Sequence, residues 1–289
     1  MIAGSVKILI AATLWGIAGG IGGVLISHDW NPAVISLYRS VLTLVFGLVW
    51  LAFSSVGDEI REPRLWIWSF LAGLGVSGAF SFYFFGMTRG SVPVAATLLY
   101  SAPVFVVAGS ILLGYEQLTL RSIVALFSVG IGVALLAGVS SDQIAVTGAA
   151  GIGAGLLSGL CYALFISAFR NASQYGSAQL VMVAAFAVAC VLLFLVAGKS
   201  TLVMPIVGRE LNQVLAIGLL GGGPAFWLYI EGLRDSSAHL AAYSGMAEPI
   251  TASLFGVLVL GQSLSLLQAA GAVIVIITVT TMSTSTGTS

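Results

Sequence analysis

Residues Ala95-Ala96-Thr97-Leu98-Leu99-Tyr100-Ser101-Ala102-Pro103 have a counterpart 146 positions later, Ala241-Ala242-Tyr243-Ser244-Gly245-Met246-Ala247-Glu248-Pro249. Each copy sets an Ala-Ala pair ahead of a proline that lies deep inside a long apolar run. The match widens to residues 80–120 against 226–266, where Phe80, Tyr83, Gly86, Leu112 and Leu120 pair with Phe226, Tyr229, Gly232, Leu258 and Leu266. Chance identities are common in so apolar a composition, so the paired prolines are the informative part. A duplicated hydrophobic unit with an interrupted helix in each copy is the sequence pointer to a transporter's binding site.

Composition supports the membrane part of that reading. Of 289 residues, 59% are hydrophobic and 7% charged, and mean hydropathy is +1.11. A water-facing domain carries roughly 25% charged residues, so this surface must be solvated by lipid. Net charge is zero and no basic or acidic block exists, which argues against a nucleic-acid partner. Cys161 and Cys190 both fall inside apolar runs, so no disulfide framework is indicated. The run after Lys7 is too long for a signal-peptide core and reads as a retained span.

Charged and turn residues separate ten apolar runs, roughly 6–27, 32–54, 65–87, 91–113, 119–139, 147–169, 177–198, 212–233, 237–259 and 264–282. Each has about the twenty residues that cross a hydrocarbon core as a helix. The expected fold is an all-α integral membrane protein. Its units are residues 1–142 with the first five helices and 143–289 with the second five. Five is odd, so the second copy enters the membrane upside down relative to the first, which makes the repeat inverted. With a cytoplasmic N-terminus, Lys7, Arg61, Arg64, Arg121, Arg170 and Arg234 lie inside and Arg89, Lys199 and Arg209 outside. This bias places both termini in the cytoplasm, with the cell (inner) membrane as the expected location. Gly75 to Gly78 falls opposite Gly221-Gly222-Gly223-Pro224, which suggests that both halves loosen the same helix.

With these features in view, the chain resembles the EamA-type family of the drug/metabolite transporter superfamily. The residues that carry the resemblance are Leu14-Trp15-Gly16, the span-2 entry from Pro32 to Arg39, and Ala95-Ala96 through Pro103 to Gly114-Tyr115-Glu116-Gln117-Leu118. In the second half they are Ala241-Ala242, Glu248-Pro249 and Gly261-Gln262-Ser263-Leu264. The copies depart from the family pattern in opposite ways. Glu-Pro stands in the second half where the first has Ala102-Pro103, and Glu116 stands in the first where the second has Gln262. The resemblance implies a ten-helix secondary carrier with a cavity between spans 1, 3, 4 and 6, 8, 9. It implies substrates among amino acids, other small metabolites, purines or drugs, often moved outward.

Several residues are candidates for that cavity. Glu248 lies about ten residues into span 9, where a carboxylate costs at least about 2.5 kcal/mol to insert. It could couple protons or bind a cation, or be hydrogen-bonded structurally to a neighbouring helix. Arg39, eight positions into span 2, could grip a substrate carboxylate bidentately. It could equally snorkel to the interface or pair with an acid, and the resemblance, which makes span 2 peripheral, favours these structural roles. Glu231 has Arg234 one turn on, so an interfacial ion pair competes with a substrate role. Pro103 and Pro249 each remove an internal N–H and crowd the carbonyl four residues back, so each is a candidate hinge. Trp15, Tyr83, Tyr100, Tyr162, Trp227 and Tyr243 are expected to supply the substrate surface, because buried Tyr and Trp need polar partners. Trp30, Trp66 and Trp68 read as interface anchors. The glycines of residues 16–23 and 151–159 read as close-packing faces.

The expected function is secondary transport, with export favoured, of a small metabolite such as an amino acid, by rocking of inverted halves around a central cavity. A drug or toxic-compound efflux carrier is the alternative. An intramembrane enzyme or a channel is a weaker one, since no paired-histidine metal motif, nucleophile elbow or phosphate-binding loop occurs. No cofactor or metal is expected. The expected partners are a small-molecule substrate, the lipid bilayer and protons as a candidate coupling ion, with the chain a monomer or homodimer.

Overall fold

A computed structural model of the chain describes residues 2–54, 57–89, 92–114, 119–198, 209–261 and 263–285. Tyr115, Glu116, Gln117, Leu118, Gln262 and Lys199, used in the reading above, lie outside these residues. The described chain is helical, without a strand among the described residues. The first half holds α1 (Ile2–Ser27), α2 (Pro32–Ala52), α3 (Pro63–Arg89), α4 (Val92–Leu99), α5 (Ala102–Leu112) and α6 (Leu120–Leu136). The second half holds α7 (Ser141–Ser173), α8 (Ala178–Ala197), α9 (Arg209–Leu220), α10 (Gly223–Arg234), α11 (Ala238–Gly245), α12 (Ala247–Leu258) and α13 (Leu266–Ser285).

Short polar side chains start several of these helices by satisfying the orphan N–H groups of the first turn. Asn31 accepts from the Ala33 N–H at 2.9 Å, and Pro32 needs no partner for its own nitrogen. Thr119 and Ser265, equivalent in the repeat, cap α6 and α13 by accepting from the N–H groups of Ser122 and Gln268. Ser140 and Gln143 bond reciprocally as a capping box at the head of α7. That helix then turns at Gly148 (φ 60°, ψ 176°), a backbone conformation that a side chain resists.

Seven helical segments are long and apolar enough to cross a membrane, namely Gly4–Ser27, Pro32–Ala52, Pro63–Arg89, Val94–Leu112, Thr147–Ser173, Ala178–Ala197 and Glu210–Arg234. Leu120–Leu136 and Leu266–Thr281 are shorter apolar helices, and α11 and α12 divide residues 238–258 between them. The outer faces expose Val45, Val49, Phe70, Phe127, Val191 and Leu195 to the surroundings. Apolar patches on this scale are foreign to a water-facing monomer.

The two halves interlock. α1 packs on α9, α10 and α12 of the second half, and α7 packs on α3, α4 and α5 of the first. α6 and α13 form a separate pair at one side. Glycines permit the close approaches: a side chain at Gly75 would meet the Phe165 backbone nitrogen at 2.6 Å, and one at Gly132 would meet Val275 at 2.7 Å. The expected loosening of span 3 is therefore not found. α3 runs unbroken through Gly75 and Gly78, because these glycines seat it against α7, whereas the equivalent segment breaks at Gly221 and Gly222 between α9 and α10. Trp30 also departs from the anchor reading. It is buried against Leu25, Val34 and Val214, while Trp66 is exposed and donates to the Ile60 carbonyl.

Candidate functional site

The two interrupted helices are where the repeat places them. The first break falls at Tyr100-Ser101, between α4 and α5, and the second at Met246, between α11 and α12. Pro103 is the second residue of α5, where its missing N–H costs nothing to that helix but leaves the Leu99 carbonyl without its usual donor. Pro249 stands likewise in the first turn of α12 relative to Gly245. The breaks thus put Tyr100 at an open point of one helix and Glu248 in the first turn of the other, where the helix dipole favours an anion.

α1 sets the position of Glu248. A side chain at Gly16 would meet the Glu248 carbonyl oxygen at 2.5 Å and Thr251 at 2.6 Å, so the absence of one lets α12 lie against α1. Gly20 meets Phe255 in the same way, whereas Gly19 faces open space and Gly22, beside Ile35, lines the same cavity. The small face of α1 therefore does two jobs, close packing and cavity wall.

A cavity of about 330 Å³ lies beside these breaks, within the usual range for small-molecule sites. Its inner walls are Trp15, Arg39, Phe80, Tyr83, Tyr100 and Glu248, and it extends to Ile26, Pro32 and Ala137 at the end of the bundle that carries the α1–α2 turn. A side recess of about 40 Å³ shares Trp15, Arg39 and Glu248 and adds Tyr162, Phe165 and Phe226.

Among the described lining residues Glu248 is the sole acid and Arg39 the sole base. The Tyr162 hydroxyl donates to Glu248 Oε2 at 3.3 Å, and Tyr100 lines the same space. The guanidinium of Arg39 sits over the Phe80 ring, 4.3 Å from its centroid, and its buried Nε has no hydrogen-bond partner. No N–O approach within 4.0 Å joins Arg39 to Glu248. A cation–π contact returns about 0.5–2 kcal/mol, less than the several kcal/mol that taking an ion out of water costs. The guanidinium is thus left with hydrogen-bonding capacity in hand. The peripheral placing of Arg39 is overturned: it neither snorkels nor makes an ion pair, because Phe80 holds it inward.

Below the cavity the rings close ranks. Trp15 stands 4.8 Å from both Phe226 and Tyr229, Phe165 stacks on Tyr229 at 5.4 Å, and Phe226 meets Phe186 edge-on at 4.6 Å. The Trp15 indole nitrogen is buried here without a partner. Phe80 and Phe226 are missed by a search for polar aromatics, although each, like Tyr229, is a matched position of the repeat. Trp227 and Tyr243 do not reach the cavity. Trp227 faces Trp50 at 5.2 Å, one residue and about 100° of helix away from Phe226. Tyr243 packs among Val129, Val133 and Val275, where α11 meets α6 and α13.

Beyond the rings, the opposite end is tied by polar bonds. Arg234 Nε donates to the Ser173 carbonyl at 3.0 Å and its Nη2 to the Gly176 carbonyl. Arg170 Nε donates to the Ser236 carbonyl at 3.0 Å. Glu59 accepts from both the N–H and the hydroxyl of Ser177, at 3.0 and 2.7 Å. Glu231 pairs with Arg234 at 3.4 Å and lies 4.0 Å from Lys7, which places it in this cluster and not at the cavity. The ends of α1, α7, α8 and α10 and the α2–α3 connection are joined here.

A model of the EamA-like transporter family matches the chain twice, over residues 2–138 and 149–284. The uncharacterized transporter YwfM of Bacillus subtilis (strain 168) is 26% identical over 272 residues, spanning 90% of this chain and 87% of its own. A solved crystal structure superposes with a TM-score of 0.77 over 99% of both chains at 20% identity, a likeness of fold alone.

Proposed function

Because the chain belongs to the EamA-like transporter family, we propose that this multi-pass membrane protein is a secondary carrier exporting a small metabolite, such as an amino acid, by alternating access. The ten spans of this reading are α1, α2, α3, α4 with α5, α6, α7, α8, α9 with α10, α11 with α12, and α13. They form two inverted halves with both termini in the cytoplasm. The lysine and arginine bias then sets the cavity's open end outside and the tied end inside. Protons are the coupling ion, taken up and released at Glu248, the lone acid among the described residues of the cavity wall.

The observation that carries the reading is the contrast along one axis. A cavity of ligand size reaches one end of the bundle, while packed rings and hydrogen-bonded helix ends close the other. A carrier caught facing one side has this form. To face the other way it must part the Arg234 and Arg170 bonds and close the walls around Glu248. The breaks beside Pro103 and Pro249 supply the hinges.

Flux of a metabolite panel into proteoliposomes tests this. Saturable uptake, accelerated by unlabelled substrate on the far side, is the expected result. Linear, non-saturating flux would sink it. Saturable transport of lipophilic drugs with no amino acid moved would shift the function to drug efflux.

A further inference from the structure

The cavity holds two opposite charges that do not meet. Arg39 enters from α2, which packs on α8 and α9, and Glu248 from α12, which packs on α1, α6 and α13. They therefore belong to different walls, and no ion pair within 4.0 Å joins them. Each has a partial partner and spare capacity. Phe80 holds the face of the guanidinium but leaves its in-plane N–H fork free, with Nε buried and unbonded. Tyr162 donates to one oxygen of the carboxylate, and a carboxylate accepts about four bonds. Aromatic rings, Trp15, Tyr83 and Tyr100, line the space shared by the two. Two half-buried ions of opposite sign thus face one cavity with bonding capacity that the protein leaves unfilled, and their separation points to a ligand that bridges them.

We infer that the cavity selects a small zwitterion, with its anionic end on the Arg39 fork and its ammonium on the Glu248 carboxylate. The apolar remainder of the ligand lies against the aromatic wall. This deepens the carrier reading and rests on the cavity being the transport site. The bidentate geometry of Arg39 suits a planar carboxylate. The Glu248 end, ringed by tyrosines, suits a cation both by charge and by the faces of the rings. Specificity then comes from an asymmetry of the repeat, since the position equivalent to Glu248 is Ala102 and offers no second site for an ammonium. A ligand with one charge would satisfy one wall and leave the other ion unpaired. Singly charged analogues are thus rejected by the group they fail to pair, not by their size.

The test uses the full-length protein in proteoliposomes and two matched series: phenylalanine, 3-phenylpropionate and phenethylamine; and alanine, propionate and ethylamine. Competition against the tightest-binding member, with flux in parallel, gives relative affinities. The zwitterion of at least one series should bind about tenfold or more tighter than both of its singly charged analogues. Arg39→Gln should erase the advantage over the amine and leave that over the carboxylate. Glu248→Gln should do the reverse. This crossed pattern is one that a merely misfolded variant, weak towards every ligand alike, cannot produce. Equal or tighter binding of a singly charged analogue, parallel loss of all ligands in both variants, or binding by none of the six overturns the inference. Saturable flux of singly charged ligands at affinities equal to or tighter than the zwitterion's overturns it while leaving the carrier intact. Selective zwitterion binding without saturable flux does the opposite.

Discussion

Two clusters of the same chemistry occupy this molecule, and they are treated in opposite ways. At the tied end, Lys7, Glu231, Arg170 and Arg234 meet one another or backbone carbonyls, and Arg234 alone reaches Glu231, Ser173 and Gly176. In the cavity, Arg39 and Glu248 face a common space without pairing. A charge whose bonds are complete is a fastener. A charge in the cavity wall whose bonds are incomplete is held for something absent from the protein itself.

Breaking the cavity side should have the largest effect. Glu248→Gln removes the carboxylate proposed to carry the proton, so gradient-driven flux should fall roughly 30-fold or more, about 2 kcal/mol, and lose its dependence on external pH. Counterflow at saturating substrate should survive. An unchanged pH dependence would remove Glu248 from coupling. Next comes the fastener. Arg234→Ala deletes charge-assisted bonds to two carbonyls, about 1.5–3 kcal/mol each, and should loosen the tied end. In a background with Cys161 and Cys190 replaced by serine, a cysteine at buried Ser173 should react with a polar maleimide several-fold faster than when Arg234 is present. Equal rates would show that the tie does not hold that end shut.

Smaller changes sharpen the contrast. Tyr162→Phe removes one hydrogen bond to Glu248, about 0.5–1.5 kcal/mol, and should weaken substrate binding by up to about tenfold without moving the thermal midpoint much. Glu231→Gln should be the mildest, within about 1 kcal/mol of stability, because its two ion pairs are partly exposed. A tenfold change in substrate affinity there would dissolve the distinction between the clusters.

Much of this was legible beforehand. The positions of the two helix breaks follow from Pro103 and Pro249, since a missing N–H acts locally in any fold. Glu248 stands out because a carboxylate amid apolar residues needs a reason. The orientation of side chains around each helix was less legible. In lipid the outer face is as apolar as the packed face, so hydrophobic periodicity gives little direction. Trp227 and Phe226 are both plausible wall residues by type, and a rotation of about 100° sends one to Trp50 and the other to Trp15. The inward turn of Arg39 depends on Phe80, forty-one positions away. The glycines of α3 announce a loose helix or a tight contact equally well, until α7 is seen to fill the space.

Sequence alone was enough for a membrane chain made of two copies, the broken helix in each, and the acid that stands beside one of the two prolines. Those are properties of composition, of proline's backbone and of an insertion cost that no neighbour cancels. Tertiary structure decided which rings line the cavity, that Arg39 shares it with Glu248, and that one end is tied while the other is open. Those depend on how helices from different halves rotate and approach, and that is set by contacts between residues far apart in the chain.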